Sequence, residues 1–242
     1  MQRILVVALS FLSLSCALSA QSIPDSELIA RLKANRSLFS SFDHGPSLKD
    51  RANQLNQDVS RDLNVSASPG ICVGCPKPDP NDDPDIKRAT NHSDIVVVAH
   101  DFKNVSALTQ NETFVFTDSE LIVDQIWKNA SSSEAGPSIA EGSEITVVEP
   151  GGAVRINGHL IRGSLSDRVP FKIGHTYLLY LKYLPDSRSY IPIPFAGFDI
   201  SSLAVVPLKT DELLPAPNLL SNKPAFVQAL HSSTLHAVEE DQ

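Results

Sequence analysis

The chain has 242 residues and is acidic, with 28 Asp and Glu against 20 Lys and Arg and a net charge of −8. Binding to DNA or RNA depends on clustered Lys and Arg, and the sequence has no such cluster, so no nucleic-acid partner is expected. The 17 prolines favour a mainly β domain with many turns over a helical bundle.

The N-terminus has the composition of an export signal, residues 1–20. A basic start precedes a run of apolar residues that is too short to span a bilayer as a stable helix. Cleavage after Ala20 would leave a mature chain that begins at Gln21. A lipoprotein signal acylated at Cys16 is disfavoured, because Ser13 stands where a large aliphatic residue is expected. We therefore predict an exported protein, periplasmic or secreted, whose mature chain has no stable membrane insertion.

An N-terminal helical arm is predicted over residues 21–65. Apolar residues at helical spacing, including Leu28 and Leu32, indicate one amphipathic helix that Asp25 or Ser26 would cap. A second, weaker apolar stripe follows in the same arm. Because both stripes are thin, docked helices and a partly ordered arm remain two open interpretations.

Residues 66–92 are interpreted as a linker rich in Pro and Asp. Cys72 and Cys75 lie within it in a C-x-x-C arrangement. Haem attachment would need a His where Pro76 stands, and a zinc site would need a second pair of ligands. In an oxidising compartment we predict a small local disulfide between the two cysteines, with a thiol-active or metal-binding role as the alternative.

An acidic stretch in this linker resembles the start of a calcium loop, because Asp79, Asn81 and Asp83 alternate. Pro84 stands where that motif requires a Gly, and the closing Glu is absent as well. The stretch is therefore interpreted as solvated linker, and no metal ligand is predicted.

Nearly all of the strand-like sequence lies in a central domain, residues 93–208. A β-branched run at 94–102 predicts a buried strand, and 104–112 is interpreted as a polar turn. The apolar residues of 113–128 do not keep one parity, which predicts a bulged or strongly bent strand. The Asn-Gly pair at 157–158 is the strongest hairpin signal. Further strands are predicted at 144–148, 153–156, 159–161, 175–184, 190–194 and 203–206.

The C-terminal segment, residues 209–242, begins with a proline-broken loop. A helix is predicted over 224–236, and the acidic tail after it is expected to be disordered.

No catalytic, cofactor-binding or metal-binding residue is predicted. The stretch 163–166 fails the Gly-x-Ser-x-Gly pattern of a serine hydrolase, and no P-loop or dinucleotide fingerprint occurs. His159, His175, His231 and His236 are not fixed by any motif near a carboxylate and a nucleophile, so surface roles are expected for them.

Four tyrosines raise the possibility of an aromatic ligand-binding face. Tyr177 and Tyr183 have one parity along their strand and Tyr180 the other, so at most part of the set, which also includes Tyr190, can share a face. Core packing is the expected role of most of them.

The order of these segments resembles a known group of proteins. SDIVVVA at 93–99, LIVDQIWK at 121–128, ITVVEPGG at 145–152 and IGHTYLLYL at 173–181 follow one another as in exported bacterial proteins of unknown function. The pattern is similar to the OB-type barrel of the TIMP and netrin-like group over about residues 93–196. The resemblance implies a mainly β fold, a small OB-like (TIMP-like) barrel with flanking N-terminal and C-terminal helices.

The inhibitory mechanism of that group does not carry over. Tissue inhibitors of metalloproteinases chelate zinc through a mature N-terminal cysteine, whereas Gln21 is the expected terminus here. Function must therefore be argued from the site. The sequence predicts an exported binding module without evident catalysis, whose partner is an unknown protein or glycan of the cell envelope. A loop-mediated protease inhibitor and a thiol-active or metal-binding protein using Cys72 and Cys75 are the alternatives.

Overall fold

The computed structural model describes residues 25–39, 45–55, 63–67, 86–130, 136–166, 168–208 and 222–240, and at 25, 67, 194–196, 237, 239 and 240 the backbone alone. The predicted cleavage site after Ala20, the pair of Cys72 and Cys75, and the acidic stretch around Asp79 lie outside these ranges. The disulfide and the export signal therefore stay predictions.

The described chain is mainly β, as predicted, and helices flank the strands on both sides in sequence. The helices are α1 (Asp25–Asn35), α2 (Leu48–Gln54), α3 (Ile86–His92) and α4 (Lys223–Glu240). The strands are β1 (Leu63–Ala67), β2 (Ile95–Leu108), β3 (Val115–Asn129), β4 (Glu144–Pro150), β5 (Gly152–Ile156), β6 (His159–Leu165), β7 (Thr176–Leu184), β8 (Ser189–Asp199) and β9 (Val206–Pro207). None of the described helices combines the length and the apolarity needed to cross a membrane.

Six strands form one sheet in the order β4-β3-β2-β7-β8-β9, and three form a second sheet in the order β1-β6-β5. Strand β4 also pairs with β8, in parallel, where Val147 lies opposite Tyr190. This pairing joins the two ends of the run from β4 to β8, so the larger sheet has an inner and an outer face.

The inner face holds an apolar core and the outer face a second one. Alternate residues of β2 belong to the inner core and to the outer core, because successive side chains of a strand point to opposite faces. The outer face packs against α3 and α4, which explains why the sequence of β2 begins as an unbroken apolar run. The inner core includes Ile95, Val97, Ala99, Leu121, Val123, Ile145, Val147, Tyr177, Leu179, Leu181 and Tyr190. The outer core includes Val96, Val98, Trp127, Leu178, Tyr180, Phe198, Phe226 and Leu230.

The bend predicted for the second long strand is confirmed. The pairing of β2 with β3 shifts register in three places, between Val96 and Val97, between Val98 and Ala99, and between Asp101 and Lys103. Each shift moves residues of one parity onto the other face, which is why the apolar residues of β3 follow no single alternation. The hairpin predicted at Asn157 is also present, with φ of 52° there and 88° at Gly158.

Several sequence-based boundaries are wrong. The helix predicted over 224–236 continues as α4 to Glu240, into the tail that was expected to be disordered. Residues 104–112 were expected to form a polar turn, but β2 continues to Leu108 and the turn is narrower. The polar residues are accommodated because they pair with polar residues of β3: the side-chain oxygens of Ser106 and Thr117 are 2.9 Å apart. The strand expected at 203–206 is shorter and lies later in the chain. It is β9, whose two residues, Val206 and Pro207, both pair with β8.

Two elements were not predicted. Strand β1 pairs in parallel with β6, and its Val65 joins a core that contains Leu48 of α2 and Phe114. Helix α3 lies within the expected linker, where its Ala89 packs into the outer core. Both elements are short: β1 alternates apolar and polar residues over only five positions, and α3 has only two apolar residues, so neither sequence alone gives a strong periodic signal.

Helix α1 docks on the outer face through buried charges. Arg31 Nε donates to Asp118 Oδ2 at 3.0 Å, and its Nη2 donates to Glu120 Oε1 at 2.9 Å. Asn35 Nδ2 donates to the other oxygen of Asp118 at 3.0 Å. All four side chains are buried. For α1, the interpretation as a docked helix is therefore the correct one.

Replacement of Arg31 by Met should cost about 3–5 kcal/mol of unfolding free energy, because Asp118 would remain buried without a cation and Glu120 would keep only Lys103. The triple variant Arg31→Met/Asp118→Asn/Glu120→Gln should recover much of that loss. Lys49→Met, which removes an ion pair with the half-exposed Glu112, should cost under about 1 kcal/mol. Urea unfolding at pH 7 measures all three, and equal losses in the Arg31 and Lys49 variants would contradict this account.

Gly152 cannot accept a side chain. It has φ of 124°, and a Cβ on it would collide with Thr117 Oγ1 and Ser106 Oγ. Gly142 also has a positive φ, 81°, but a Cβ there meets nothing. Gly152→Ala should therefore lose about 2 kcal/mol more stability than Gly142→Ala in urea unfolding. Similar losses in the two variants would show that backbone strain alone matters.

Candidate functional site

Four polar side chains lie on the inner face at one end of the larger sheet. Asn104 lies opposite Ser119 in the β2–β3 ladder, and Ser119 lies opposite Val147, which is in the inner core. Residues directly opposite one another on paired strands share a face, so Asn104 and Ser119 point inward. Asp101 and Glu149 complete the group. We call these four residues the inner polar cluster.

Three oxygens of this cluster are buried without a hydrogen-bond partner among the described residues. They are Asp101 Oδ2, Asn104 Oδ1 and Ser119 Oγ. Asp101 and Ser119 are both fully buried. Because folded proteins pair the large majority of buried polar atoms, three such acceptors in one place need a specific explanation.

Glu149 is buried beside the same group. Burial raises its pKa to about 7, the NH of Phe171 and the charge of Arg168 oppose this rise, and the charge of Asp101 adds to it. The hydrogen bond from Phe171 N to Glu149 Oε1 is 3.0 Å long. Glu149 thus changes protonation near neutral pH although its side chain is buried.

Burial also raises the pKa of Asp101. The side chain of Asn104, the NH of Lys103 and the charge of His175 each lower it in part. Two neighbouring buried carboxyls with raised pKa values, one of which raises the pKa of the other, are a feature that is enriched at functional sites.

Residues 171–175 close over the cluster, and we call them the cover segment. Phe171 N donates to Glu149, and Asn104 Nδ2 donates to Phe171 O at 3.5 Å. Lys172 N donates to Tyr177 Oη at 2.7 Å. At the far end, Asp101 N donates to His175 O at 2.9 Å. The cover segment is therefore held largely by the inner polar cluster and its neighbour Tyr177.

His175 lies beside a carboxylate, which the sequence did not predict. Its Nδ1 is 2.7 Å from Asp199 Oδ2, and Ser201 Oγ donates to Asp199 Oδ1 at 2.6 Å. In a serine-hydrolase triad the hydroxyl proton passes to the His, whereas here the hydroxyl is bound by the Asp. The three residues are together but are not arranged to activate a nucleophile.

The other residues singled out in the sequence do not converge. His231 packs its ring against Trp127 at a centroid distance of 4.9 Å, and His236 is exposed. Tyr177, Tyr180 and Tyr190 are buried in the two cores, as expected, and do not form a binding face. Among the described residues no three His, Cys, Asp or Glu side chains are placed to hold a metal ion together.

Exposed apolar residues surround this end of the sheet. Of the seven large apolar side chains that are exposed in the described ranges, four belong to neighbouring segments here. Backbone hydrogen bonds join β2 to the cover segment, and the start of β7 to the end of β8, where Ile200 N donates to Thr176 O. Strand β9 lies next to β8. We call the four the apolar rim: Phe102, Ile173, Leu203 and Val206.

Comparison with known proteins adds no relative: no family model matches the chain, and no curated protein matches it.

Stability should fall as pH rises through the pKa of Glu149. The pKa in the folded protein, about 7, lies above the ordinary value of 4.5, so the proton's contribution is complete below pH 4.5 and is lost above pH 7. The Gln side chain of Glu149→Gln can still accept from Phe171 N but carries no charge. Between pH 4.5 and pH 8, the unfolding free energy of the variant should therefore fall by about 3 kcal/mol less than that of the parent.

Urea unfolding across this pH range measures the effect, with Glu141→Gln at an exposed loop position as the control. If the parent and Glu149→Gln show parallel pH profiles, the buried carboxyl does not titrate as stated.

Proposed function

We propose that this protein is an exported interaction module built on a small OB-like barrel, similar to that of the TIMP and netrin-like group, and that it has no catalysis of its own. The strand circuit supports the fold: five strands in the order β4-β3-β2-β7-β8, with β4 paired to β8, fit the five-stranded Greek-key barrel of OB folds. The binding of the Ser201 hydroxyl by Asp199 supports the absence of a hydrolytic centre.

The apolar rim is the observation that carries the binding function. A single exposed apolar residue is ordinary, whereas several of them on neighbouring segments are a feature of partner surfaces. The rim gathers Phe102, Ile173, Leu203 and Val206 around one end of the sheet, on turns and strand ends. Such segments are the usual carriers of binding residues on a rigid scaffold.

The rim fits a protein better than a glycan. Its side chains are three aliphatic groups and one Phe, and it offers little of the aromatic stacking surface on which sugar binding usually relies. The favoured partner is therefore an envelope protein with an apolar patch.

Charges introduced into the rim should abolish partner binding without unfolding the protein. Ile173 and Leu203 are 64% and 87% exposed, whereas the control residues Ile29 and Leu235 are 65% and 45% exposed and lie on α1 and α4. Ile173→Asp/Leu203→Asp should reduce retention of the partner from the envelope and secreted fraction by about tenfold or more. Ile29→Asp/Leu235→Asp should retain it as the parent does.

Retention is measured by mass spectrometry after capture on the tagged protein. Equal retention by the two double variants, or no stoichiometric protein retained by the folded parent, would contradict the proposed surface.

A second candidate function is protease inhibition through a loop. The cover segment presents Ile173 to solvent while hydrogen bonds at Phe171, Lys172 and Gly174 hold its backbone, as a loop inserted into a protease cleft requires. Inhibition of a serine protease or metalloprotease at micromolar concentration, lost in Ile173→Asp, would favour this function over the first. The alternative that uses Cys72 and Cys75 concerns residues outside the described ranges.

A further inference from the structure

The inner polar cluster is not used by a partner that binds the apolar rim, so its three unpaired acceptors remain unexplained. They are all oxygens: one of a carboxylate, one of an amide and one of a hydroxyl. Two of their side chains, Asp101 and Ser119, are fully buried. An acceptor that lacks a donor is matched by a hydrogen-bond donor or by a cation.

The ligand set favours a hard cation. Calcium binds carboxylate, amide and other neutral oxygens, usually six to eight in a flexible geometry, whereas magnesium requires a near-ideal octahedron and keeps several waters. Metals that prefer nitrogen or sulfur find no His or Cys within the cluster. The two carboxyls, Asp101 and Glu149, also match the double charge of calcium.

The placement of these residues favours a single site. Asn104 and Ser119 lie opposite each other in the β2–β3 ladder, and Glu149 is two residues along β4 from Val147, the partner of Ser119. Phe171 connects two members directly, since its NH donates to Glu149 and its C=O accepts from Asn104. Asp101 lies at the register shift of β2, three residues before Asn104.

The geometry points to a calcium-binding site formed by Asp101, Asn104, Ser119 and Glu149 beneath the cover segment. The assignment does not rest on the proposed function, because the site uses none of the side chains of the apolar rim. Many cation sites contain three acidic or His ligands. In this site two of the four side chains, Asn104 and Ser119, are neutral oxygen ligands.

The test is a comparison of melting temperatures in calcium, magnesium and potassium at pH 8, with the purified protein. About 10 mM calcium should raise the melting temperature by about 2–5 °C, and the other two ions should raise it less. Asp101→Asn and Glu149→Gln should each weaken calcium binding by about tenfold or more. Asp124→Asn, at a half-exposed carboxyl of β3, should leave it unchanged.

Ser119→Ala keeps the test informative if the charge variants fold poorly. Removal of a buried, unpaired hydroxyl should leave the calcium-free protein as stable or more stable, yet reduce its response to calcium. Asp79→Asn/Asp83→Asn, in the acidic stretch of the linker, should keep the full response. Three outcomes would overturn the assignment. The parent protein could show no calcium response, Ser119→Ala and Glu149→Gln could both respond as the parent does, or only the linker variant could lose the response.

Discussion

The parallel pairing of Val147 with Tyr190 is the constraint on which the rest of this structure depends. Without it, β4 and the N-terminal part of β8 would be open edges of a twisted sheet, with their outward NH and C=O groups unpaired; β9 pairs only with the end of β8. With it, one face of the sheet becomes an interior. Apolar residues fill that interior along most of its length, and the carboxyls of Asp101 and Glu149 are buried at one end.

The outer face is covered in two different ways. On one side α3 and α4 pack apolar residues such as Ala89, Phe226 and Leu230 against the sheet. On the other side α1 is held by Arg31 between two buried carboxylates, with Phe39 packed beside it against β3. Burial raises the pKa of Asp118 and Arg31 opposes this rise, so the ion network costs desolvation energy and contributes orientation as well as stability. The covers leave one end of the sheet free for the apolar rim.

Sequence patterns predicted what depends on neighbouring residues and missed what depends on pairing. The fold class, the Asn157 hairpin and the helix at the C-terminus carry local signals, namely a turn dipeptide and apolar periodicity. The inner polar cluster has none, because Asp101, Ser119 and Glu149 lie on three strands and meet only through the ladder register. Strand β1 was missed for the same reason, since its partner β6 lies about a hundred residues away in sequence and supplies its burial.

The cover segment links the two surfaces at this end. Its Ile173 belongs to the apolar rim, whereas its Phe171 is bonded to Glu149 and Asn104 beneath it. A cation bound to the carboxylate of Glu149 changes the charge beside the NH of Phe171. A partner bound at Ile173 restrains the backbone of the same segment. Any free energy that one ligand gains from ordering these residues is shared with the other, because binding linkage is reciprocal. Calcium should therefore change the affinity for a partner at the rim by the same factor by which that partner changes the affinity for calcium.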